Sequence, residues 1–67
     1  MDRFVVEADK KVVGLAIRVP GGFRFIATDP AFRSVDRKVF RRARTLASNI
    51  AELARALRAA KPAAAMH

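Results

Sequence analysis

Apolar and polar residues follow two different periods along the chain. From Arg3 to Thr28 apolar residues recur at nearly every second position, the period of a half-buried β-strand. From about Phe32 onward they recur every three or four positions, the period of an amphipathic helix. The pattern predicts an α+β fold with the order βββα, a three-stranded antiparallel β-meander followed by one long C-terminal α-helix.

Two turn signals divide the strand region into hairpins. Asp9 and Lys10 form a predicted two-residue loop. In the second hairpin a two-residue Pro-Gly loop would place Ile17 opposite Arg24 and mix apolar with charged residues, so we predict the three-residue loop Pro20-Gly21-Gly22. The predicted pairs are Ala8–Lys11, Val6–Val13 and Phe4–Leu15, then Val19–Phe23, Ile17–Phe25 and Leu15–Ala27.

The predicted register gives the outer face of the sheet two features. Arg18 lies opposite Arg24, with Arg3 nearby, and these guanidinium groups either splay into water or hold an anion between them. Around them the register predicts a shallow apolar surface formed by Val5, Val12, Gly14, Ala16 and Ile26. One of the two hypotheses below places a partner on this surface.

A helix start follows the sheet, since Asp29 is a good capping residue and Pro30 suits the first helical position, with Ser34 as a second possible cap. A helix from about Asp36 to Lys61 would be about 39 Å long, whereas the strands span about 20 to 30 Å. The distal half then either packs on another chain or folds back near Ser48-Asn49, and we favour a homodimer. The predicted dimer interface is Ile50, Leu53, Ala54 and Leu57.

The predicted fold is a single domain over residues 1–61, and the tail after Pro62, residues 62–67, is predicted to be disordered. The predicted core comprises Phe4, Val6, Val13, Leu15, Ile17, Phe23, Phe25, Val39, Phe40, Ala43, Leu46 and Ile50.

Composition narrows the chemistry. The 67 residues include no cysteine, and the lone histidine is the last residue, so neither a disulfide nor a metal site or cofactor is predicted. Ser34 and Ser48 have no candidate base nearby and the carboxylates are scattered, so no catalytic residue is predicted and a non-enzyme is expected. Without a long apolar run or a secretory signal, we expect a cytoplasmic protein with no membrane span.

The net charge of +8 favours anionic partners. Six of the twelve residues from Arg33 to Arg44 are basic against one acid, Asp36, and Arg55 and Arg58 continue the same predicted helix face. Such a face is either solvated or meets a polyanion, most commonly DNA or RNA. The predicted nucleic-acid-binding residues are Arg3, Arg18, Arg24, Arg33, Arg37, Lys38, Arg41, Arg42 and Arg44.

Three antiparallel strands followed by a helix, with Arg3, Arg18 and Arg24 on the open face, resemble in layout the AP2/integrase-type DNA-binding domains. That resemblance spans about Arg3 to Leu57 and implies a sheet face laid into the major groove, although this chain lacks the tryptophans usual there and has a longer helix.

Two hypotheses follow from these patterns. In the first, a homodimer binds nucleic-acid phosphates through the basic helix face, with or without the outer sheet face. In the alternative, the protein is an interaction module that docks an acidic or apolar protein partner on the outer sheet face.

Overall fold

The computed structural model describes residues 2–60 as an α+β fold with one open antiparallel sheet of four strands, which lie side by side in the order of the chain. The strands are β1 (Arg3–Ala8), β2 (Lys11–Val19), β3 (Gly22–Ala27) and β4 (Val39–Phe40). A short 3₁₀ helix (Pro30–Val35) joins β3 to β4, and the helix α1 (Ala43–Ala59) follows. The predicted tail, residues 62–67, lies outside the described residues.

The α+β class and the meander are confirmed, but the prediction of three strands missed β4. Residues 36–42, predicted to begin the helix, run along the edge of β3 instead: the amide of Arg37 donates to the Phe25 carbonyl (2.6 Å), and the Phe25 amide donates to the Lys38 carbonyl (2.9 Å). This pairing satisfies the edge of β3 and buries Phe40. A helix here would stack like charges three and four residues apart.

The first turn is the predicted two-residue loop, and the Ala8–Lys11 pair is confirmed. The register then shifts between Val6 and Glu7, so that Val6 faces Gly14 and Phe4 faces Ala16. The predicted pairs of Val6 with Val13 and Phe4 with Leu15 are therefore wrong. The extra residue in β2 forms a β-bulge, and because side chains alternate along a strand, it moves every later residue of β2 to the opposite face.

The second turn is the two-residue loop Pro20-Gly21, so the predicted three-residue loop is wrong. Val19 pairs with Gly22, and Ala16 pairs with Phe25. Pro followed by Gly is the signature of a type II turn. The bulge reverses the faces of the β2 residues that follow it. With those faces reversed, only the two-residue loop leaves Phe25 on the side of the sheet that faces α1.

The Phe25 ring explains why the bulge is present. The side chain is completely buried and lies beside Gly14 and Ala16 on the inner face. A Cβ atom at Gly14 would come within 2.5 Å of the ring and of the Ile26 carbonyl oxygen. The two small residues therefore provide the space that the ring occupies, and the bulge brings both of them to the inner face.

Helix α1 covers this inner face with Leu46, Ile50 and Ala54. At 17 residues it is about 26 Å long, comparable with β2, because it begins seven residues later than predicted. Its distal half therefore stays within reach of the sheet, and Leu53 and Leu57 pack against the core of the same chain. The buried core comprises Val6, Val13, Ala16, Phe25, Phe32, Phe40, Leu46, Ile50 and Ala54.

The predicted core differs from this set on one face. Leu15 and Ile17 were predicted inside, but the bulge places them on the outer face, and Val39 is 44% exposed. Phe4 and Phe23 are partly buried against the core with their ring centroids 5.8 Å apart. Ala16, Phe32 and Ala54 are buried in the core although the sequence pattern did not predict them there.

The predicted cap at Asp29 is confirmed, although it begins a 3₁₀ helix rather than an α-helix. Its Oδ1 atom accepts a hydrogen bond from the Ala31 amide at 3.0 Å, and Pro30 occupies the first helical position. This short helix places Phe32 in the core and returns the chain to the sheet edge.

Replacing Gly14 by Ala is expected to lower the free energy of unfolding by about 1–3 kcal/mol, because the added methyl group overlaps the Phe25 ring and a backbone carbonyl. The double variant Gly14→Ala/Phe25→Leu should lose less unfolding free energy than the two single variants lose together, because the smaller Leu side chain makes room for the added methyl group. The difference should be about 0.5–3 kcal/mol. Urea unfolding of the four proteins of the cycle measures this coupling. Val39→Ala, on the opposite face of the sheet, is the control, and its effect should add to that of Gly14→Ala. If Gly14→Ala and Phe25→Leu were also additive, the proposed contact between Gly14 and the Phe25 ring would be contradicted.

The first turn gives a second prediction. Asp9 and Lys10 have φ angles of 53° and 64°, the left-handed conformation that a type I′ turn requires and that glycine adopts most easily. Lys10→Gly should therefore raise the free energy of unfolding by about 0.5–1 kcal/mol. Lys10→Ala removes the same side chain but keeps the Cβ atom, so thermal unfolding of this control should show no gain. Equal stability of the Gly and Ala variants would contradict the prediction.

Candidate functional site

Five of the nine predicted nucleic-acid-binding residues lie on one edge of the structure. Along this edge the chain leaves the 3₁₀ helix, forms β4 and enters α1, and β4 is an edge strand. All five side chains are exposed. We call this surface the basic edge, and it comprises Arg37, Lys38, Arg41, Arg42 and Arg44.

The fold fixes the path of the basic edge at two points. Arg37 has a φ angle of 70°, and this left-handed residue turns the chain alongside β3. At the other end Gly22 allows a close approach, since a Cβ atom there would lie 2.0 Å from the Phe40 carbonyl oxygen and 2.8 Å from the Arg41 Cα. Arg41 is therefore held beside the Pro20-Gly21 turn by backbone packing.

The basic edge ends at the amino terminus of α1. Arg42 occupies the N-cap position and makes no side-chain capping hydrogen bond, and the first turn contains no acidic residue. The first amides of a helix have no partner within the helix, and the helix dipole adds positive potential there. The arginines thus lie where the backbone already attracts an anion.

The remaining predicted residues separate into three locations. Arg3 and Arg24 share one row of the outer face with Ile17 and Val39; Arg24 lies on β3 next to the basic edge, whereas Arg3 lies on β1 at the other edge of the sheet. Arg18 pairs with Phe23 on the inner face, with its guanidinium carbon 5.8 Å from that ring centroid. The predicted juxtaposition of Arg18 with Arg24 is therefore wrong, because the two-residue loop places them on opposite faces of the sheet.

Arg33 lies away from this cluster, in a small cleft that it lines with Thr28 and Asp36. Asp36, the one acid near the basic residues in sequence, accepts a hydrogen bond from the Ala27 amide at 2.8 Å. Its carboxylate is therefore directed toward the end of β3 and does not pair with the basic edge.

Two ion pairs lie at the opposite end of the sheet. Lys11 Nζ lies 3.6 Å from an Asp29 carboxylate oxygen, and Arg58 forms an ion pair with Asp9. A cleft of about 420 Å³ opens between these pairs, over Phe32 and Leu57. Within residues 2–60 these are the ion pairs of the structure, so none involves the basic edge.

The predicted continuous arginine stripe does not form on one helix. Arg44, Arg55 and Arg58 lie on the exposed side of α1, whereas Arg37 and Arg41 precede the helix. The basic residues that are dense in the sequence therefore lie along the edge strand β4 and at the start of α1, and not along one helix.

The residues predicted to form a helix dimer interface are engaged within the chain. Ile50 is 1% exposed and Ala54 is 7% exposed, both in the core, while Leu53 and Leu57 are partly buried beside it. A dimer through this helix remains a prediction. Of the predicted interface residues, only the partly buried Leu53 and Leu57 would be available on α1 for such a contact.

The described part of the chain contains no cluster of three or more acidic, His or Cys side chains suited to a metal ion. Neither of its helices has the length and apolar composition needed to cross a membrane.

Comparison with known protein families found no matching family model, and comparisons with curated proteins and with solved structures found no significant match.

Proposed function

We propose that this chain is a small, non-enzymatic binding protein that contacts the phosphates of DNA or RNA through the basic edge. The observation that carries the proposal is the separation of charge. At the far end of the sheet Lys11 and Arg58 form ion pairs with Asp29 and Asp9, whereas no residue of the basic edge forms an ion pair within residues 2–60.

Electrostatics makes this edge suitable for phosphate. Arg42 and Arg44 lie beside a helix amino terminus, where a cation is unfavourable by about 0.3–1 kcal/mol because it faces the positive end of the dipole. A bound phosphate reverses the sign of this interaction and accepts hydrogen bonds from both guanidinium and amide groups. Binding of a polyanion therefore relieves repulsion that the isolated protein retains.

The shape of the edge favours a backbone contact over base reading. From Lys38 to Arg42 the chain includes the two-residue strand β4, and at about 3.3 Å per residue it spans at most roughly 16 Å. This length lies along a few successive phosphates of one strand. Arg24 extends the positive surface onto the outer face, where it lies between Ile17 and Val39, and Arg3 lies on β1 at the far edge. We therefore expect affinity with little sequence preference and a strong dependence on salt.

A second candidate function rests on a different observation. Val5, Val12 and Val39 are 55%, 47% and 44% exposed on the outer face of the sheet. The partly buried Leu15, Ile17 and Ile26 lie between them, and a contiguous exposed apolar surface often marks a protein interaction site. The alternative hypothesis, a module that docks a protein partner on this face, is therefore supported independently of the basic edge.

The proposed function predicts a salt dependence that two arginines control. Fluorescence anisotropy with random-sequence DNA duplex and with single-stranded RNA, at a series of salt concentrations, gives the slope of log affinity against log salt. Arg41→Gln combined with Arg42→Gln should reduce the magnitude of that slope on duplex by about 1.8, because each lost phosphate contact contributes about 0.9.

The matched control is Arg33→Gln combined with Arg55→Gln, which removes the same charge away from the basic edge and should leave the slope nearly unchanged. Equal weakening by both double variants would show a nonspecific effect of net charge and would count against this site. If the wild-type protein binds neither probe at low salt, the proposed function is wrong.

A further inference from the structure

The outer face of the sheet is apolar although no element of residues 2–60 packs on it. Both helices lie on the inner side, where Phe32, Leu46 and Ile50 enter the core. The register places seven aliphatic residues on the opposite side, and they run from β1 across to β4. This apolar outer face comprises Val5, Val12, Leu15, Ile17, Val19, Ile26 and Val39.

Three charged residues are distributed unevenly across the apolar outer face. Arg3 and Arg24 lie in one row, on either side of Ile17. Glu7 lies two rows away, opposite Val12, roughly 13 Å along β1. The apolar row of Val5, Leu15 and Ile26 separates the two ends. One end of the face therefore carries two arginines and the other end carries a glutamate.

This distribution discriminates among possible occupants. An acidic partner would match the arginine row but would oppose Glu7, and a purely apolar partner would desolvate all three charges without pairing them. A second copy, turned by a two-fold axis that lies parallel to the sheets and perpendicular to the strands, sets Glu7 of each chain against the arginine row of the other. The central apolar rows then meet each other.

We propose that the apolar outer face is a homodimer interface in which two sheets pack face to face with their strands running in opposite directions. Aligned sheets of this kind pack about 10 Å apart and tolerate an angle of about 30°. The other two-fold arrangement, with strands running in the same direction, would bring the arginine rows together and is disfavoured. The inference does not depend on nucleic-acid binding.

The size of the face sets the expected strength. Three strand spacings and four residues along a strand give a face of roughly 14 by 13 Å before the rim side chains are added. This is small compared with the about 800 Å² per partner of a standard interface. We therefore expect a weak dimer that forms as the protein concentration rises from micromolar to millimolar.

Charge exchange tests the proposed orientation. In sedimentation equilibrium the wild-type chain should dimerise, whereas Glu7→Arg alone and Arg3→Glu combined with Arg24→Glu should each be monomeric, since each sets like charges against each other. An equimolar mixture of these two variants should dimerise again, because both contacts of the mixed pair are then between opposite charges. Glu52→Arg makes the same charge change as Glu7→Arg on the exposed side of α1 and should remain dimeric.

A further variant separates this interface from pairing of two β1 edges, which would also bring Arg3 near Glu7 of a second copy. Val39 lies on β4, at the other side of the sheet, so Val39→Lys should abolish face-to-face packing and leave an edge-paired dimer intact. All these positions are exposed, and circular dichroism melts should confirm that each variant folds.

Three outcomes would overturn the inference. The first is a wild-type chain that stays monomeric over the whole concentration range. The second is a dimer that survives Val39→Lys, which indicates pairing of β1 edges. The third is a dimer unaffected by Glu7→Arg but lost on Leu53→Asp, which would place the interface on α1.

Discussion

The position of the Phe25 ring is the constraint on which the rest of the structure depends. The ring is completely buried between the sheet and α1, and it has room there because Gly14 and Ala16 face it without bulky side chains. Bringing these two residues to the inner face requires the bulge in β2, and the same bulge turns Leu15 and Ile17 outward. The apolar outer face is thus a consequence of how the core is packed.

The sequence predicts the class of the fold, the position of the first turn and the inner faces of β1 and β3. It fails for β2 because the prediction contains two errors that compensate. Omitting the bulge reverses the face of β2 from Gly14 onward, and a loop one residue too long then restores the correct face for Phe25. Alternation alone favours the wrong face of β2. Leu15 and Ile17 are larger than Gly14 and Ala16, so the pattern predicts that the larger pair is buried. The better signal is Gly14, because a glycine inside a strand often marks a bulge or a close approach of another group, here the Phe25 ring.

The basic segment shows a competition that helical periodicity does not capture. Residues 36–42 have apolar positions compatible with a helix, but as a helix they would leave the edge of β3 uncovered and would concentrate like charges. As an edge strand they bury Phe40, satisfy β3 and separate alternate side chains to opposite sides. Local charge density therefore identifies the basic residues from sequence, whereas their arrangement depends on a sheet edge distant in the chain. The orientation of Arg18 is likewise fixed by tertiary register.

The two proposed surfaces are linked by the net charge of +8. Copies of so basic a chain repel one another, which keeps an exposed apolar face from associating indiscriminately but also weakens the specific dimer. The basic edge lies on β4 and the start of α1, so it stays accessible when the outer faces meet. A polyanion bound on that edge, as proposed, would neutralise the repulsion between the two copies and thereby strengthen the proposed dimer. By thermodynamic reciprocity the proposed dimer would then bind the polyanion more tightly than the monomer, and the coupling would weaken as salt screens both effects.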